Sequence, residues 1–537
     1  PARSLVFDSL RGFLALCEGP YPQTAAMALM MRRFARKAAK YGIVGSGVGG
    51  TVYLVNLYIN DDMDDIAYFA RGSFRSSLKE ARKKVVVLGS GWGSLSFAQK
   101  LDPKLYDVVI VSPRPFFFYT PLLCGSTTGT VNAASIVEPI RDAASNCNFL
   151  HVTCTDVDLD AKKVLCAGES PGSDIALDYD HLVIAVGAQP NTFGIKGVAD
   201  HAFFLKEIEH GNAVRKQLLD TVMQADVARV AGNMDKVKQL LNIVVVGGGP
   251  TGVEFCGELS DFIKKDLGVR FPELKQHFQV TLIEALPGLL TMFQKAVGVH
   301  VQEHLVNQGV DVRLNAMVKE AEKDKVHIKV QDGSIETINF GTLVWVAGVG
   351  MRPFTKKLCD KIGADAGQTD RRGLLVDHAL RVKGTNLGEV FALGDCAVSG
   401  KPPTAQVAAQ QGKYLGRMFR FKNELMMTDP EAAPFSYAHQ GTMAYIGDSQ
   451  AATEVFPNGL IKLGQSSVTD HLWWRSLYGD VDHVRVMGVA GFAVWRSVYF
   501  SKMYSMRSRF SVGLDWSRTA LFGRPSAAPT QGTLTCV

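Results

Sequence analysis

One stretch constrains the fold of this chain more than any other, and it runs from Val244 to Leu259. Its sequence, VVVGGGPTGVEFCGEL, begins with β-branched residues that favour a strand, continues with three spaced glycines, and ends in a helix-forming segment. A strand, a tight turn and a helix start in this order form the fingerprint of a dinucleotide-binding unit. The free N–H groups of such a helix bind a pyrophosphate. We therefore expect a nucleotide site at Gly247, Gly249, Pro250, Thr251 and Gly252. The alternative is a purely structural glycine turn.

A carboxylate follows the next predicted strand of this unit. Residues 280–284 read VTLIE, which predicts a strand that ends at Glu284. A carboxylate at this place accepts hydrogen bonds from an adenosine ribose and repels a 2′-phosphate. The spacing from the glycines exceeds the usual ~20 residues, and Glu284 is therefore a candidate for the ribose contact.

The composition indicates a globular protein with more than one domain. The chain has 537 residues, of which 47% are apolar and 20% are charged, and its formal net charge of +6 is modest. The nine cysteines include no CxxC pair, which argues against a zinc site and against a CxxC or CxxxxC redox disulfide. We expect free thiols, a reducing compartment and no metal site.

The N-terminal region has features of targeting and of a membrane segment. Residues 27–40 read MALMMRRFARKAAK, with five basic residues and no acid, and resemble a mitochondrial targeting segment; the alternative is a basic solvated helix. Residues 41–59 carry no charge and are about long enough to cross a bilayer; the alternative is a buried or interfacial helix. Four aspartates follow within 61–65. The positive-inside rule then predicts an N-terminus in the matrix and a main body outside it.

A second copy of the strand, turn and helix pattern opens the globular part. Residues 84–94 read KVVVLGSGWGS, with Gly89, Gly91, Trp92 and Gly93 in the turn. The next predicted strand ends near Ser112 without an Asp or Glu. In this copy the pattern therefore departs from the usual ribose-binding arrangement, with Ser112 and Arg114 at that place. Residues 116–128, FFFYTPLLCGSTT, form an aromatic loop around Thr120 that suits the wall of a flat ring; the alternative is ordinary core.

Each glycine turn is followed by a strand that passes back beside it. Gly187 follows the first such strand, and Ala347 and Gly348 follow the second, so the chain carries a tandem repeat. Residues 388–397, GEVFALGDCA, then place Gly394 and Asp395 at the mouth of the first domain. A carboxylate there can bind a ribityl chain.

The C-terminal third contains a polar pair and an apolar stripe. Gln406 and Gln410 share one face of a predicted helix over 402–419, and their amides can both donate to and accept from a quinone head group or a flavin; the alternative is a solvated face.

From 485 to 524 there are seven basic residues against one acid. The apolar stripe there indicates a membrane interface, whereas a core helix or a dimer contact is the alternative. Its members are Phe492, Trp495, Tyr499, Met503, Met506 and Phe510. No nucleic-acid partner is expected, because no recognised reader accompanies the charge.

The chain resembles the type II NADH dehydrogenases, which are single-subunit, non-pumping NADH:quinone oxidoreductases, and the mitochondrial branch looks closest. The resemblance covers about residues 84–525 and includes VVVLGSGWGS, VSPRPFFFYTPLL, VVVGGGPTGVEFCGEL, GTLVWVAGVGMRP, FALGDCA, PPTAQVAAQ and YFSKMYSMRSRFSVGLDW. It implies an α/β fold of two Rossmann-like dinucleotide-binding domains, as in glutathione-reductase-like flavoproteins, with a C-terminal membrane-anchoring region. It also implies FAD in the first turn, NADH in the second, Glu254 near nicotinamide and flavin, and Gln406 and Gln410 where flavin meets quinone.

We divide the chain into segments at 1–40, 41–83, 84–204 (FAD, first part), 205–352 (NADH), 353–430 (FAD, second part) and 431–537 (membrane anchoring and dimerisation). The expected reaction passes a hydride from NADH to FAD and then two electrons to ubiquinone at the mitochondrial inner membrane, with the catalytic domain facing the intermembrane space. A homodimer and an association with respiratory complexes are expected partners. The alternatives are a sulfide:quinone oxidoreductase, which works through a pair of cysteines, and a non-catalytic respiratory subunit. Cys124, Cys166 and Cys396 do not have a spacing that we recognise for the former.

Overall fold

Long apolar runs without polar alternation, such as 85–88 and 243–246, are typical of strands buried on both faces of a parallel sheet. The computed structural model describes residues 82–168, 170, 172–421, 427–455 and 484–525, and these residues belong to one unit. The predictions for residues 1–81 and for 526–537 lie outside the described residues. The domain boundaries within the chain stay a prediction.

Strands and helices alternate along the described part of the chain. In chain order the strands are β1 Lys83–Leu88, β2 Tyr106–Val111, β3 Phe116–Phe118, β4 Val137–Pro139, β5 Asn148–Leu150, β6 Thr153–Asp158, β7 Lys163–Ala167, β8 Ile175–Asp178, β9 His181–Ile184, β10 Gln189–Pro190, β11 Phe203–Phe204, β12 Asn242–Val246, β13 Gln279–Ile283, β14 Val310–Arg313, β15 Met317–Ala321, β16 Lys325–Lys329, β17 Ile335–Asn339, β18 Thr342–Trp345, β19 Val349–Gly350, β20 Leu374–Leu375, β21 Val390–Ala392, β22 Ala397–Val398, β23 Thr442–Gly447, β24 Gln450–Val455 and β25 Val484–Val486. The α-helices are α1 Trp92–Ala98, α2 Leu123–Thr128, α3 Ile140–Ala143, α4 Val198–His201, α5 Ile208–Val230, α6 Met234–Leu240, α7 Pro250–Phe262, α8 Gly268–Arg270, α9 Lys295–Asn307, α10 Pro353–Ile362, α11 Ala405–Phe421, α12 Gly488–Ser501 and α13 Met506–Phe522.

The first sheet is parallel and has β1 at its centre. Its strand order is β21-β9-β1-β2-β5, and Leu88 at the end of β1 pairs with Val111 on one side and with Ile184 on the other. The apolar residues of β1 from Val85 onward are buried. The first glycine turn therefore leaves the carboxyl end of the central strand, which is where open α/β sheets bind their ligands.

The second sheet repeats this arrangement around β12. Its order is β11-β18-β12-β13-β14, and all neighbours are parallel. β12 takes the place of β1, β13 that of β2, and β18 that of β9. The predicted tandem repeat and the α/β fold are therefore confirmed. Each half also carries a three-stranded antiparallel sheet, β6-β7-β8 or β15-β16-β17, and the short β10–β19 pair joins the two halves.

The C-terminal stripe predicted from the sequence is divided between two helices. α12 ends at Ser501, and α13 begins after Ser505, whose hydroxyl accepts a hydrogen bond from the Ser508 backbone N–H and caps the helix. Met503 is 2% exposed, whereas Met506 and Phe510 are 74% and 69% exposed. Because the helix is interrupted between Ser501 and Met506, the stripe does not form one surface. Its first four members, Phe492, Trp495, Tyr499 and Met503, pack on the core. Met506 and Phe510 do not. No helix among the described residues is both long and apolar enough to cross a bilayer.

Candidate active site

A cavity of about 1230 Å³ lies where the two repeats meet. It is larger than the ~300–1000 Å³ typical of pockets for drug-sized ligands, so it has room for a dinucleotide. We call it the nucleotide cavity. Fourteen of the sequence-predicted site residues line it: Gly89, Gly91, Trp92, Gly93, Ser112, Arg114, Thr120, Gly187, Thr251, Glu254, Ala347, Gly348, Gly394 and Asp395.

The three glycines of the first turn have three different surroundings. Gly89 has φ +109°, and a Cβ there would overlap the Ala185 carbonyl oxygen. A Cβ at Gly93 would overlap the Leu393 side chain, whereas at Gly91 nothing lies within 4 Å. Two glycines therefore permit close packing, and the middle one faces open space where the backbone can approach a phosphate.

The second turn repeats this pattern. Gly247 has φ +118°, with a Cβ position only 2.9 Å from the Ala347 nitrogen, and a Cβ at Gly252 would overlap the Gly247 carbonyl oxygen. Gly249 again faces open space and is the N-cap of α7, which begins with Pro250. Both turns thus have the geometry that a dinucleotide requires, although Gly247, Gly249, Pro250 and Gly252 do not line the nucleotide cavity itself.

Glu284 follows β13 and reaches the second turn. Its Oε2 accepts a hydrogen bond of 2.5 Å from the Gly248 N–H, and its Oε1 accepts one of 2.7 Å from the Leu286 N–H. The unusual spacing has a simple cause, because α7 continues through a π-helical turn at Ile263–Leu267 and α8 before β13 begins. The carboxylate therefore lies beside the second glycine turn, and its contact with a ribose stays a prediction.

Two adjacent charged residues that line the nucleotide cavity, Lys206 and Glu207, were not predicted from the sequence. Lys206 Nζ lies 3.4 Å from Asp395 Oδ2. Glu207 lies 2.5 Å from Arg114 Nη1 and 3.1 Å from Arg352 Nη2. These contacts join positions far apart in the chain, so no local pattern indicates them.

Part of the cavity lining is aromatic, and its phenylalanines, Phe116, Phe117 and Phe118, also belong to the buried core. The Trp92 indole N–H donates to Thr120 Oγ1 at 3.0 Å, and its ring lies 5.0 Å from the Phe117 ring. The nearby Gly394 N–H donates to Gln411 Oε1 at 2.7 Å, which holds the turn that carries Asp395. Gln411 adjoins Gln410 in the chain, but no local pattern indicates its contact with Gly394.

Glu254 lies between the nucleotide cavity and a second cavity of about 450 Å³. The Tyr445 backbone N–H donates to its Oε1 at 3.3 Å. Burial raises the pKa of Glu254 to about 8, and the neighbouring Glu258 adds to the rise, against the opposing effects of the Tyr445 N–H and the Trp495 side chain. Cys124 and Tyr499 also face this carboxyl group. At neutral pH Glu254 therefore holds a proton in contact with both cavities.

The amides of Gln406 and Gln410 bind a neighbouring segment of the chain. Gln406 Nε2 donates to the Gly441 carbonyl oxygen at 2.8 Å. Gln410 donates to the Ala438 carbonyl oxygen at 2.8 Å and accepts from its N–H at 3.0 Å. Neither glutamine lines the nucleotide cavity, although Ala405 and Ala408 on the same helix do.

Two family models match the chain. The pyridine nucleotide-disulphide oxidoreductase family matches residues 83–412, and the NDH2 C-terminal domain matches residues 479–525. A probable mitochondrial NADH-ubiquinone oxidoreductase of Schizosaccharomyces pombe is 37% identical over 83% of this chain and 83% of its own length. An external mitochondrial NADH-ubiquinone oxidoreductase of Saccharomyces cerevisiae is 36% identical over 85% and 84% of the two chains.

Solved structures agree with these relatives. The structure of NDH2 from Plasmodium falciparum in complex with NADH is 26% identical, with a TM-score of 0.73 over 83% of this chain and 100% of that chain. The sulfide:quinone oxidoreductase of Aquifex aeolicus is 17% identical, with a TM-score of 0.56 over 82% and 96% of the two chains. The latter likeness concerns the fold alone.

The raised pKa of Glu254 predicts a pH-dependent stability. The folded protein retains a proton that the unfolded chain releases near the ordinary value of 4.5. Between that pH and about 8 the native state binds more protons, so this group lowers the stability as the pH rises. We expect the apparent melting temperature of Glu254→Gln, relative to wild type, to increase from about pH 5 to about pH 9. Exposed Glu303 provides the control, since Glu303→Gln should show a constant difference. A constant difference for Glu254→Gln as well would contradict the raised pKa.

Proposed function

Since this chain belongs to the pyridine nucleotide-disulphide oxidoreductase family, as do its NADH-ubiquinone oxidoreductase relatives, we propose that it is a non-proton-pumping type II NADH:ubiquinone oxidoreductase. The family and the enzyme class predicted from the sequence are confirmed. The observation that carries the function is the pair of equivalent glycine turns, each with an open middle glycine, beside one shared cavity. Two dinucleotides can thereby be held with their reactive ends close together.

The residues of the first pocket fit FAD. The space in front of Gly91 suits a pyrophosphate, Asp395 suits the ribityl chain, and Trp92 and Thr120 lie in the aromatic part of the lining. FAD held by these residues would supply the redox chemistry, as the acceptor of a hydride from NADH and the donor of two electrons to ubiquinone. The overall reaction is NADH + H⁺ + ubiquinone → NAD⁺ + ubiquinol, and it therefore takes one proton from solution.

We assign Glu254 as a proton or charge partner at the reacting end of the cavity. It is buried, holds a proton at neutral pH, and contacts both cavities, which are properties that a proton donor needs. For Gln406 and Gln410 we propose a role at the quinone side through the segment 438–441, which their amides hold. Lys502, which donates to Gln440 Oε1 at 2.9 Å, supports the same segment.

The protein is mitochondrial, and we propose the inner membrane with the catalytic domain towards the intermembrane space. The external position named for the Saccharomyces cerevisiae relative supports this orientation. α13 presents exposed apolar side chains beside Arg507 and Arg518, which is the composition of an interfacial helix. A homodimer through the C-terminal region, which sedimentation velocity would detect, and an association with respiratory complexes stay predictions.

Anaerobic spectroscopy tests the activity directly. We expect purified holoprotein to show flavin absorbance that NADH bleaches and that a soluble ubiquinone analogue then restores. Sulfide without NADH should leave the spectrum unchanged. Absence of a flavin, or a flavin that stays oxidised in excess NADH, would refute the proposed function, and bleaching by sulfide alone would favour the sulfide:quinone alternative.

Glu284 should set the preference for NADH over NADPH. Its hydrogen bond from the Gly248 N–H holds the carboxylate beside the second glycine turn, which supports a role in binding a ribose diol and repelling a 2′-phosphate. We expect Glu284→Gln to lower the ratio of kcat/KM for NADH to that for NADPH by tenfold or more, that is by about 1.4 kcal/mol or more. The exposed Glu303→Gln variant should keep the wild-type ratio. If Glu284→Gln also keeps that ratio, the assignment is wrong.

The exposed face of α13 should bind lipid. Phe510 and Leu521 are 69% and 76% exposed, so Phe510→Asp with Leu521→Asp should leave the fold intact. We expect this double variant to lose co-sedimentation with anionic phospholipid vesicles, because burial of apolar side chains in the interface drives binding. Val227 and Val230 on α5 are equally exposed and provide the matched control, since Val227→Asp with Val230→Asp should still co-sediment. Equal binding of both double variants would exclude α13 as the lipid-binding face.

A further inference from the structure

The first dinucleotide pocket lacks the carboxylate that the second one has. In the second sheet Glu284 follows β13, whereas in the first sheet Ser112 follows the equivalent strand β2. Ser112 is buried, and its hydroxyl donates to Ser90 Oγ of the glycine turn at 3.0 Å. The adenosine of a dinucleotide lies at the end of this strand. The adenosine end of the first pocket is therefore built differently and needs another fixed polar group.

Arg114 occupies this place and is held on several sides. Its backbone N–H donates to Ser112 Oγ at 3.1 Å, and its Nε donates to the Phe116 carbonyl oxygen at 3.1 Å. The guanidinium carbon lies 4.9 Å from the centre of the Phe118 ring. Glu207 completes the arrangement, since its Oε2 accepts from Arg114 Nη1 at 2.5 Å.

Glu207 comes from a distant part of the chain, at the start of α5. Its other oxygen, Oε1, accepts from Arg352 Nη2 at 3.1 Å, so one carboxylate holds two guanidinium groups. Arg114, Glu207 and Arg352 all line the nucleotide cavity. The side chain of Glu207 is 23% exposed. A carboxylate that bonds two guanidinium groups in this largely buried position fixes the place of Arg114.

We propose that Glu207 is a positioning residue for the adenosine half of the flavin cofactor, acting through Arg114. In this proposal Glu207 replaces the carboxylate that Glu284 provides at the end of β13 in the second pocket. The difference is that the guanidinium of Arg114 lies between Glu207 and the ligand. This inference rests on the proposed function, because it requires FAD in the first pocket. An arginine that is fixed before binding loses less conformational freedom when the ligand arrives. Removal of the charge at position 207 should therefore weaken binding of the adenosine half alone.

The test compares ligands that do and do not carry adenosine. Apoprotein is titrated with FAD, with FMN and with ADP, by flavin fluorescence for the first two and by competition with FAD for the third. We expect Glu207→Gln to raise the Kd for FAD and for ADP about tenfold and to leave the Kd for FMN within a factor of about two of the wild-type value. A glutamine retains an acceptor oxygen for the N-terminal cap of α5, so the helix is preserved.

Glu303→Gln provides the control. Glu303 is exposed on α9 and does not line the nucleotide cavity, and its substitution removes the same charge. We expect this variant to bind all three ligands as wild type does. The double variant Glu207→Gln with Arg114→Gln should bind FAD as weakly as Arg114→Gln alone, because the first residue acts through the second.

The outcomes separate this inference from the proposed function. If wild-type apoprotein binds no FAD, the proposed function fails. If wild type binds FAD but Glu207→Gln leaves the Kd for FAD unchanged, the positioning role is overturned. Equal weakening of FAD and FMN would also overturn it, since that result would indicate a general defect of the pocket. Additive effects of the Glu207 and Arg114 substitutions would show that Glu207 does not act through Arg114.

Discussion

The contact between each glycine turn and the strand that returns beside it is the constraint on which both nucleotide sites depend. The backbone at Ala185 lies against Gly89, and that at Ala347 lies against Gly247, so closely that no side chain fits. These contacts bring the ends of β9 and β18 next to the turns, and among the glycines of the two turns Gly91 and Gly249 face open space. One backbone arrangement, used twice, therefore creates two phosphate-binding places.

The carboxyl groups of Glu254 and Glu258 lie on the same helix, α7, but have different surroundings. Glu258, one turn further along, accepts from Thr128 and pairs with Arg524 at 3.1 Å. Glu254 has no ion-pair partner in the described part of the chain, and burial outweighs the opposing effects of the Tyr445 N–H and the Trp495 side chain, so its pKa rises. The same helix thus carries a neutral acid at the cavity and an ionic anchor for the C-terminal segment. Because Arg524 follows directly after α13, the proposed membrane-binding helix is tied to the helix that carries Glu254.

The sequence predicts the parts of the site that are encoded locally. Both glycine turns, the carboxylate at Glu284 and the turn at Asp395 follow from short patterns, because strand, turn and helix start are adjacent in the chain. The contacts of Glu207 with Arg114 and Arg352 join three separate segments, and no periodicity reveals them. The break between α12 and α13 also escaped prediction. Helical spacing continues through residues 502–505, whereas the Ser505 cap starts a new helix there.

The side-chain chemistry of Gln406 and Gln410 predicts a contact with quinone, whereas their positions in the structure show contacts with the backbone. The amides of Gln406 and Gln410 suit a quinone, but in this structure they hold residues 438–441, the segment that leads into β23. β23 in turn presents the Tyr445 N–H to Glu254. The segment that the pair holds is therefore continuous with the strand that contacts Glu254. A glutamine that touched quinone directly would need to release Ala438 or Gly441 first. Both amides are held at each end, since Gln406 also accepts from the Tyr437 hydroxyl at 3.3 Å and Gln410 accepts from the Ala438 N–H at 3.0 Å.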